Sequence, residues 1–297
     1  MRKILLISIF FVVTLFAQKD IISVTILPQK YFVEKIVKDK FNINVMVSPG
    51  SSPHNFEPKP STMKALFSSK IYFMINEPSE KAWIEKFKTN AKNTLFVDTT
   101  KEIEKIAMME HSHNEDEDED EDEDDHHHSH HEHGEDGLDP HVWLDPISVK
   151  SQVKTIFETM VKIDEKNSKF YKENYEEFIK ELDLLDNEIK EILKPYKDMA
   201  FMVFHPSWGY FSKRYEIEQI SIEIEGKEPK PNDMIKLIEE AKLHKIKIVF
   251  VSPQFSQKNA KTISKSIGAN VISIDPLSDD WHNNMLLVAK EIAKSYK

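Results

Sequence analysis

The strongest constraint on the fold is an alternation that runs along the chain twice. Short runs rich in β-branched and aromatic residues at Ile21–Leu27, Ile43–Val47, Ile71–Ile75 and Thr94–Asp98 are separated by helical patterns at Tyr31–Asp39, Thr62–Phe67 and Ser79–Phe87. The order returns at Ala200–Phe204, Ile217–Ile222, Lys247–Val251 and Asn270–Ile274, with helical patterns at Trp208–Arg214, Asp233–Leu243, Gln257–Ile267 and Asn283–Lys294. Parallel strands need a crossover, and a helix is the usual one, so this alternation predicts parallel sheets built from βαβ units. The last three strands of each half, centred on Val45, Phe73 and Phe96 and on Ile220, Val249 and Ile272, recur at nearly equal spacing. The expected fold class is α/β, with two four-stranded parallel-sheet lobes.

The halves are joined by an unusual stretch. Asp145-Pro146 offers an N-cap followed by proline at the first helical position, and Ile147 to Ile163 reads as helix. After a short break at Asp164–Asn167, Ser168 to Leu193 is rich in Glu, Lys and Leu and has no Gly or Pro until Pro195. A helix of that length is a rod of roughly 39 Å, so the expectation is one long rigid helix connecting the two lobes. A coiled-coil partner helix is the alternative reading of the same pattern.

The chain opens with Met1-Arg2-Lys3, an apolar run from Ile4 to Phe16, and Ala17. A basic start, a short apolar core and a small residue follow the order of a secretory signal peptide, and the apolar run is too short to span a bilayer. Cleavage near Ala17 predicts a periplasmic protein that is not membrane-anchored afterwards. The chain has no cysteine, which excludes disulfides, thiolate ligands, cysteine nucleophiles and a lipoprotein anchor. The expected organisation is a signal peptide over 1–17, an N-terminal lobe over 18–109, and a disordered acidic loop over 110–136. The His141 region and a helix follow over 137–167, then the connecting helix over 168–194 and a C-terminal lobe over 195–297.

The net charge of −11 is local in origin. Glu110 to Asp136 contains acidic residues but no basic ones, with an unbroken acidic run from Glu115 to Asp125; outside it basic residues slightly outnumber acidic ones. A nearly neutral body without a basic stripe argues against nucleic acid as a partner.

His54, His141 and His205 each lie beside a proline. His205 directly follows a strand, His54 lies in the loop after the second strand, and His141 precedes the Asp145 helix start. Asp275 directly follows the last strand. Ligands of open parallel sheets bind at the carboxyl ends of the strands, and two lobes bring two such edges face to face. The four residues are therefore candidates for one interlobe metal site, and three imidazoles with a carboxylate suit tetrahedral Zn²⁺. Their spacing carries no local motif. His282 is the substitute if Asp275 is not a ligand, His244 reads as a helix-end surface residue, and Asp145 reads as a cap.

The stretches carrying these residues resemble a known family. Pro49-Gly50-Ser51-Ser52-Pro53-His54-Asn55-Phe56-Glu57-Pro58, His141-Val142-Trp143-Leu144-Asp145-Pro146, Phe204-His205-Pro206-Ser207-Trp208-Gly209-Tyr210-Phe211 and Ile274-Asp275-Pro276 are similar, in order, to the ligand signatures of the metal-binding proteins of zinc and manganese ABC importers. Glu225 to Pro229 and Pro253 to Ser256 also fit. The resemblance implies an extracytoplasmic solute-binding protein of the zinc-uptake (ZnuA-like) type. It implies a monomer that holds metal between its lobes with His54, His141 and His205, Asp275 or water completing the set, and delivers it to an inner-membrane ABC permease. Manganese-preferring relatives tend to place a carboxylate where this chain has His205, so zinc is the expected ion and manganese the alternative.

The acidic segment also holds eight histidines. Imidazoles flanked by carboxylates are expected to gather additional Zn²⁺ weakly near the cleft. A competing reading is an enzyme, a three-His zinc hydrolase with a bound water at the open position. No His-Glu-x-x-His motif is present, and no general base is evident beside the candidate ligands.

Overall fold

The computed structural model describes residues 19–108, 137–224 and 226–297. The signal-peptide reading of residues 1–17 and the acidic His-rich segment 110–136 lie outside the described residues. The first lobe contains β1 (Ile21–Val24), α1 (Leu27–Val37), β2 (Asn42–Val45), α2 (Pro60–Phe67), β3 (Ser69–Met74), α3 (Pro78–Asn90) and β4 (Leu95–Asp98). Then come α4 (Pro146–Ile163) and α5 (Ser168–Leu193). The second half is β5 (Ala200–Val203), α6 (Gly209–Tyr215), β6 (Glu218–Ser221), α7 (Pro231–Leu243), β7 (Ile248–Val251), α8 (Lys258–Ile267), β8 (Asn270–Ser273) and α9 (Trp281–Ser295).

All strands pair in parallel, and the two sheets have matching orders, β2-β1-β3-β4 and β6-β5-β7-β8. In each, the strand order reverses beside the first strand, which opens a crevice at the carboxyl edge. The eight expected strands are all present. Most boundaries shift by a residue or two, and the largest difference is at the first strand: the run expected to stay extended to Leu27 ends at Val24, and α1 begins at Leu27 rather than Tyr31. Pro28 explains the early start, since its fixed φ and missing N–H suit the first helical turn.

Strand periodicity decides how the second sheet is covered. Ala200, Met202 and Phe204 face one cluster with Leu237, Ala241 and Ile263 of α7 and α8. Phe201 and Val203 point the other way, into a core continuous with that of the first lobe. Sheets covered on both faces read as unbroken apolar runs, as β5 and β7 do.

The long helix α5 is built into this shared core. Tyr171, Asn174, Phe178, Leu182, Leu185, Ile189 and Leu193 are buried at spacings of three and four, which lays one stripe along its length. That stripe packs on α1, α4 and α9. The last helix crosses back to the first lobe: the Trp281 ring stands edge-on to Phe32 at 5.1 Å, and its indole N–H donates to the Trp143 carbonyl at 2.7 Å. The lobes are therefore joined by α5 and also stapled by α9. No helix among the described residues is long and apolar enough to cross a membrane.

Candidate metal centre

His54 lies in the irregular segment between β2 and α2. His141 opens a single 3₁₀ turn, Val142–Leu144, ahead of α4, and His205 follows β5 at its carboxyl end. The fold brings the three rings together between the lobes, with ring centroids 4.8 to 5.2 Å apart. The His54 Nε2 lies 2.9 Å from the His205 Nε2 and 3.3 Å from the His141 Nε2. Tetrahedral zinc at a Zn–N distance of about 2.0–2.1 Å places its nitrogen ligands about 3.3 Å apart, which the His54–His141 spacing matches while the His54–His205 spacing is somewhat shorter. Among the described residues these three form the one group of metal-ligating side chains with donor atoms this close, within 4.8 Å.

Each ring has a carboxylate behind it. The Nδ1 atoms of His54, His141 and His205 lie 3.1, 2.7 and 2.6 Å from carboxylate oxygens of Glu77, Asp139 and Glu223. All three acids are buried. An Nδ1–H donated to a carboxylate sets the tautomer and leaves Nε2 with a free lone pair. Three such lone pairs pointing at one another repel unless a cation or a proton lies between them.

Local structure positions these acids. Glu77 follows β3, after Asn76 turns the chain at φ 59°, a left-handed conformation asparagine tolerates. Its backbone N–H donates to Glu80 at 2.9 Å; Glu80 is itself buried and accepts from Tyr72 at 2.8 Å and from Thr25. Asp139 uses a single oxygen to accept from both the backbone N–H and the ring of His141. Glu223 follows the carboxyl end of β6. Sequence reasoning missed all three acids. The available signals were the Asp139-Pro140-His141 spacing and the strand-end rule that located His205, which also applies to Glu77 and Glu223.

The electrostatics separate the rings. Burial, reinforced by the neighbouring His54 and His205, holds His141 well below the ordinary imidazole value, so it is neutral. Burial also acts to lower His54, but its hydrogen bond to Glu77 and the charges of Glu77, Glu223 and Asp139 outweigh this and raise it. Burial pushes the Asp139 carboxyl up to about 7.

Asp275 is not part of the three-histidine group. Its Oδ1 accepts from Gln254 at 2.7 Å and from the Leu277 N–H at 2.8 Å. Its neighbours Gln254, Pro276 and Leu277 nevertheless line the small cavity that the histidines share. Asp145 accepts from the Ile147 and Ser148 N–H groups as the cap of α4. His244 is paired with Glu218 at 2.8 Å on the surface, and His282 lies in the first turn of α9, outside the group.

A cleft of about 400 Å³ opens onto His54, His205 and Glu223. Met108 and Gly137 also line it. The Met108 N–H donates to the Gly137 carbonyl at 2.9 Å, and Ala107 pairs antiparallel with Leu138. The described residues on either side of the acidic segment, Met108 and Gly137, therefore lie at the mouth of the site.

The family model described as zinc-uptake complex component A, periplasmic (ZnuA), matches residues 22–295, and the chain belongs to that family. Its members are solute-binding proteins and not enzymes, which sets the zinc-hydrolase reading aside. The chain is 30% identical over 257 residues to the high-affinity zinc uptake system protein ZnuA of Bacillus subtilis, covering 85% of this chain and 77% of that protein. It is similar to a crystal structure of ZnuA at 35% identity and a TM-score of 0.83, covering 94% of this chain and all of that one. A ZnuA deletion mutant with zinc bound matches at 35% identity and a TM-score of 0.81, covering 94% of this chain and 98% of the other.

Proposed function

We propose that this member of the zinc-uptake family captures Zn²⁺ between its lobes and delivers it to an inner-membrane ABC permease. The observation that carries this reading is the convergence of three Nε2 atoms whose partner Nδ1 atoms are each tied to a buried carboxylate. Imidazole donors favour zinc over the harder Mn²⁺. His54, His141 and His205 are the ligands in this reading, and Asp275 or a water fills the fourth position. The ligands must bind deprotonated, so loading releases protons. The protein works as a monomer in the periplasm after removal of residues 1–17.

Metal analysis of the purified mature chain, with anomalous scattering at the zinc edge and manganese as competitor, tests the proposal. One tightly held zinc per chain, lost in His205→Ala, is the expected result; a chain that takes up manganese in preference, or neither ion, overturns it.

The acidic His-rich segment serves in this reading as a metal-gathering loop, supported by Met108 and Gly137, the described residues on either side of it, both lining the cleft. Deleting 110–136 should leave the tight site and remove additional weak ones. Unchanged zinc stoichiometry refutes the role.

A further inference from the structure

The three candidate ligands are not held alike. His205 and α6 belong to one continuous stretch, with α6 starting four residues after the histidine. That short helix also grips the His141 segment at both ends. At the near end, the Tyr210 hydroxyl donates to the Asp139 carbonyl at 2.9 Å and accepts from the Ile106 N–H at 3.2 Å. Gly209 lies so close that a Cβ there would meet the Asp139 Oδ2 at 2.6 Å. At the far end, the Arg214 guanidinium makes a two-pronged bond to Asp145, at 2.7 Å from Nε and 2.9 Å from Nη2. Bidentate pairs of this kind fix orientation as well as distance. Among the described residues, no hydrogen bond ties His54 to α6: its ring is backed by Glu77 at the start of the first lobe's α3, and its side chain is 27% exposed against 2% for His141 and 10% for His205.

We propose that α6 is a clamp that presets the spacing of His141 and His205, with Gly209, Tyr210 and Arg214 as positioning residues, so that His54 is the ligand that closes on the ion. The clamp rests on the zinc-capture reading above and adds to it which pair of ligands is built in advance. The hydrogen bonds of Tyr210 and Arg214 go to Asp139 and Asp145, the two residues that flank the His141 turn, so both act on the site through them.

The test compares the full mature chain with Tyr210→Phe, Arg214→Leu and Gly209→Ala. Zinc affinity is read by chelator competition, and ligand geometry by the visible absorption of Co²⁺ in place of zinc. Tyr171→Phe, which removes only the hydroxyl that donates to Asp164 at the start of α5, is the control for general loss of stability. A tenfold or greater loss of affinity with an altered Co²⁺ spectrum in the clamp variants, and neither change in the control, is the expected result. Arg214→Lys, which keeps the charge but loses the fork, should recover only part of the loss. Combining Arg214→Leu with His54→Ala should abolish the weak Co²⁺ binding that His54→Ala alone retains. Wild-type affinity and spectrum in folded Tyr210→Phe and Gly209→Ala overturn the clamp, and these two decide the matter if Arg214→Leu does not fold. A wild-type chain that binds neither zinc nor Co²⁺ removes the zinc reading and the clamp together, a result distinct from loss of the clamp alone.

Discussion

Glu223 places a carboxylate oxygen 2.6 Å from the Nδ1 of His205, on the opposite side of the ring from the nitrogen that meets His54. The pair comes from the ends of two neighbouring strands, β5 and β6. It turns a rotatable imidazole into an oriented donor with a defined tautomer.

Removing this carboxylate should therefore weaken metal binding without touching a ligand. Glu223→Ala is expected to lower zinc affinity by about 10–100-fold, the usual cost of losing an outer partner of a metal-ligating histidine. Glu223→Gln, which can still accept from Nδ1, should lose less. Chelator competition at fixed pH measures both, and equal affinity in all three proteins would contradict the orienting role.

The raised His54 and the lowered His141 define a pH dependence with a definite sign. Burial disfavours a proton on His141, whereas the hydrogen bond and charge of Glu77 favour one on His54, so a proton on His54 competes with zinc. Below the raised His54 pKa the proton competes with the metal, and affinity falls by about tenfold per pH unit for each proton released. Above it the affinity levels off. Titration calorimetry in buffers of different ionisation enthalpy counts the protons released on each side of that point. No release below it would refute the assignment.

Zinc should stabilise the folded chain by mass action, because its donors converge only when the lobes are assembled. A free zinc concentration 100 times Kd gives about 2.7 kcal/mol. Thermal unfolding with and without chelator should show the shift, and it should be absent in His141→Ala. An equal shift in that variant would place the stabilising ion elsewhere.

Truncation in the buried stripe of α5 tests whether the long helix is a core element. Leu182 is fully buried, so Leu182→Ala should cost about 2–5 kcal/mol in denaturant unfolding. Exposed Leu184, on the opposite side of the same helix, should tolerate alanine with about 0.5 kcal/mol or less. Similar costs at the two positions would mean that α5 is a solvent-spanning rod.

Local pattern was enough for much of this molecule. Runs rich in β-branched and aromatic residues predict all eight strands; the central β5 and β7, buried throughout, are unbroken apolar runs, and the edge strands keep enough β-branched residues to be read. The alternation with helices predicts parallel sheets, and a sheet of that kind binds at its carboxyl edge. That edge is why His205 stood out as a candidate and why His54 and His141 joined it. Pro28 showed where local reading slips, because an apolar run that continues past the true strand end conceals a helix start.

What only the tertiary structure decided are relationships between distant residues. Glu77, Asp139 and Glu223 are ordinary acids in the sequence, and each matters because folding buries it against one particular ring. The return of α9 to the first lobe and the grip of α6 on the His141 turn likewise have no local signature. The physical reason is the same in each case. Periodicity records which face of an element avoids water, whereas a hydrogen-bond partner is chosen by the packing of whole elements, which no window of sequence contains.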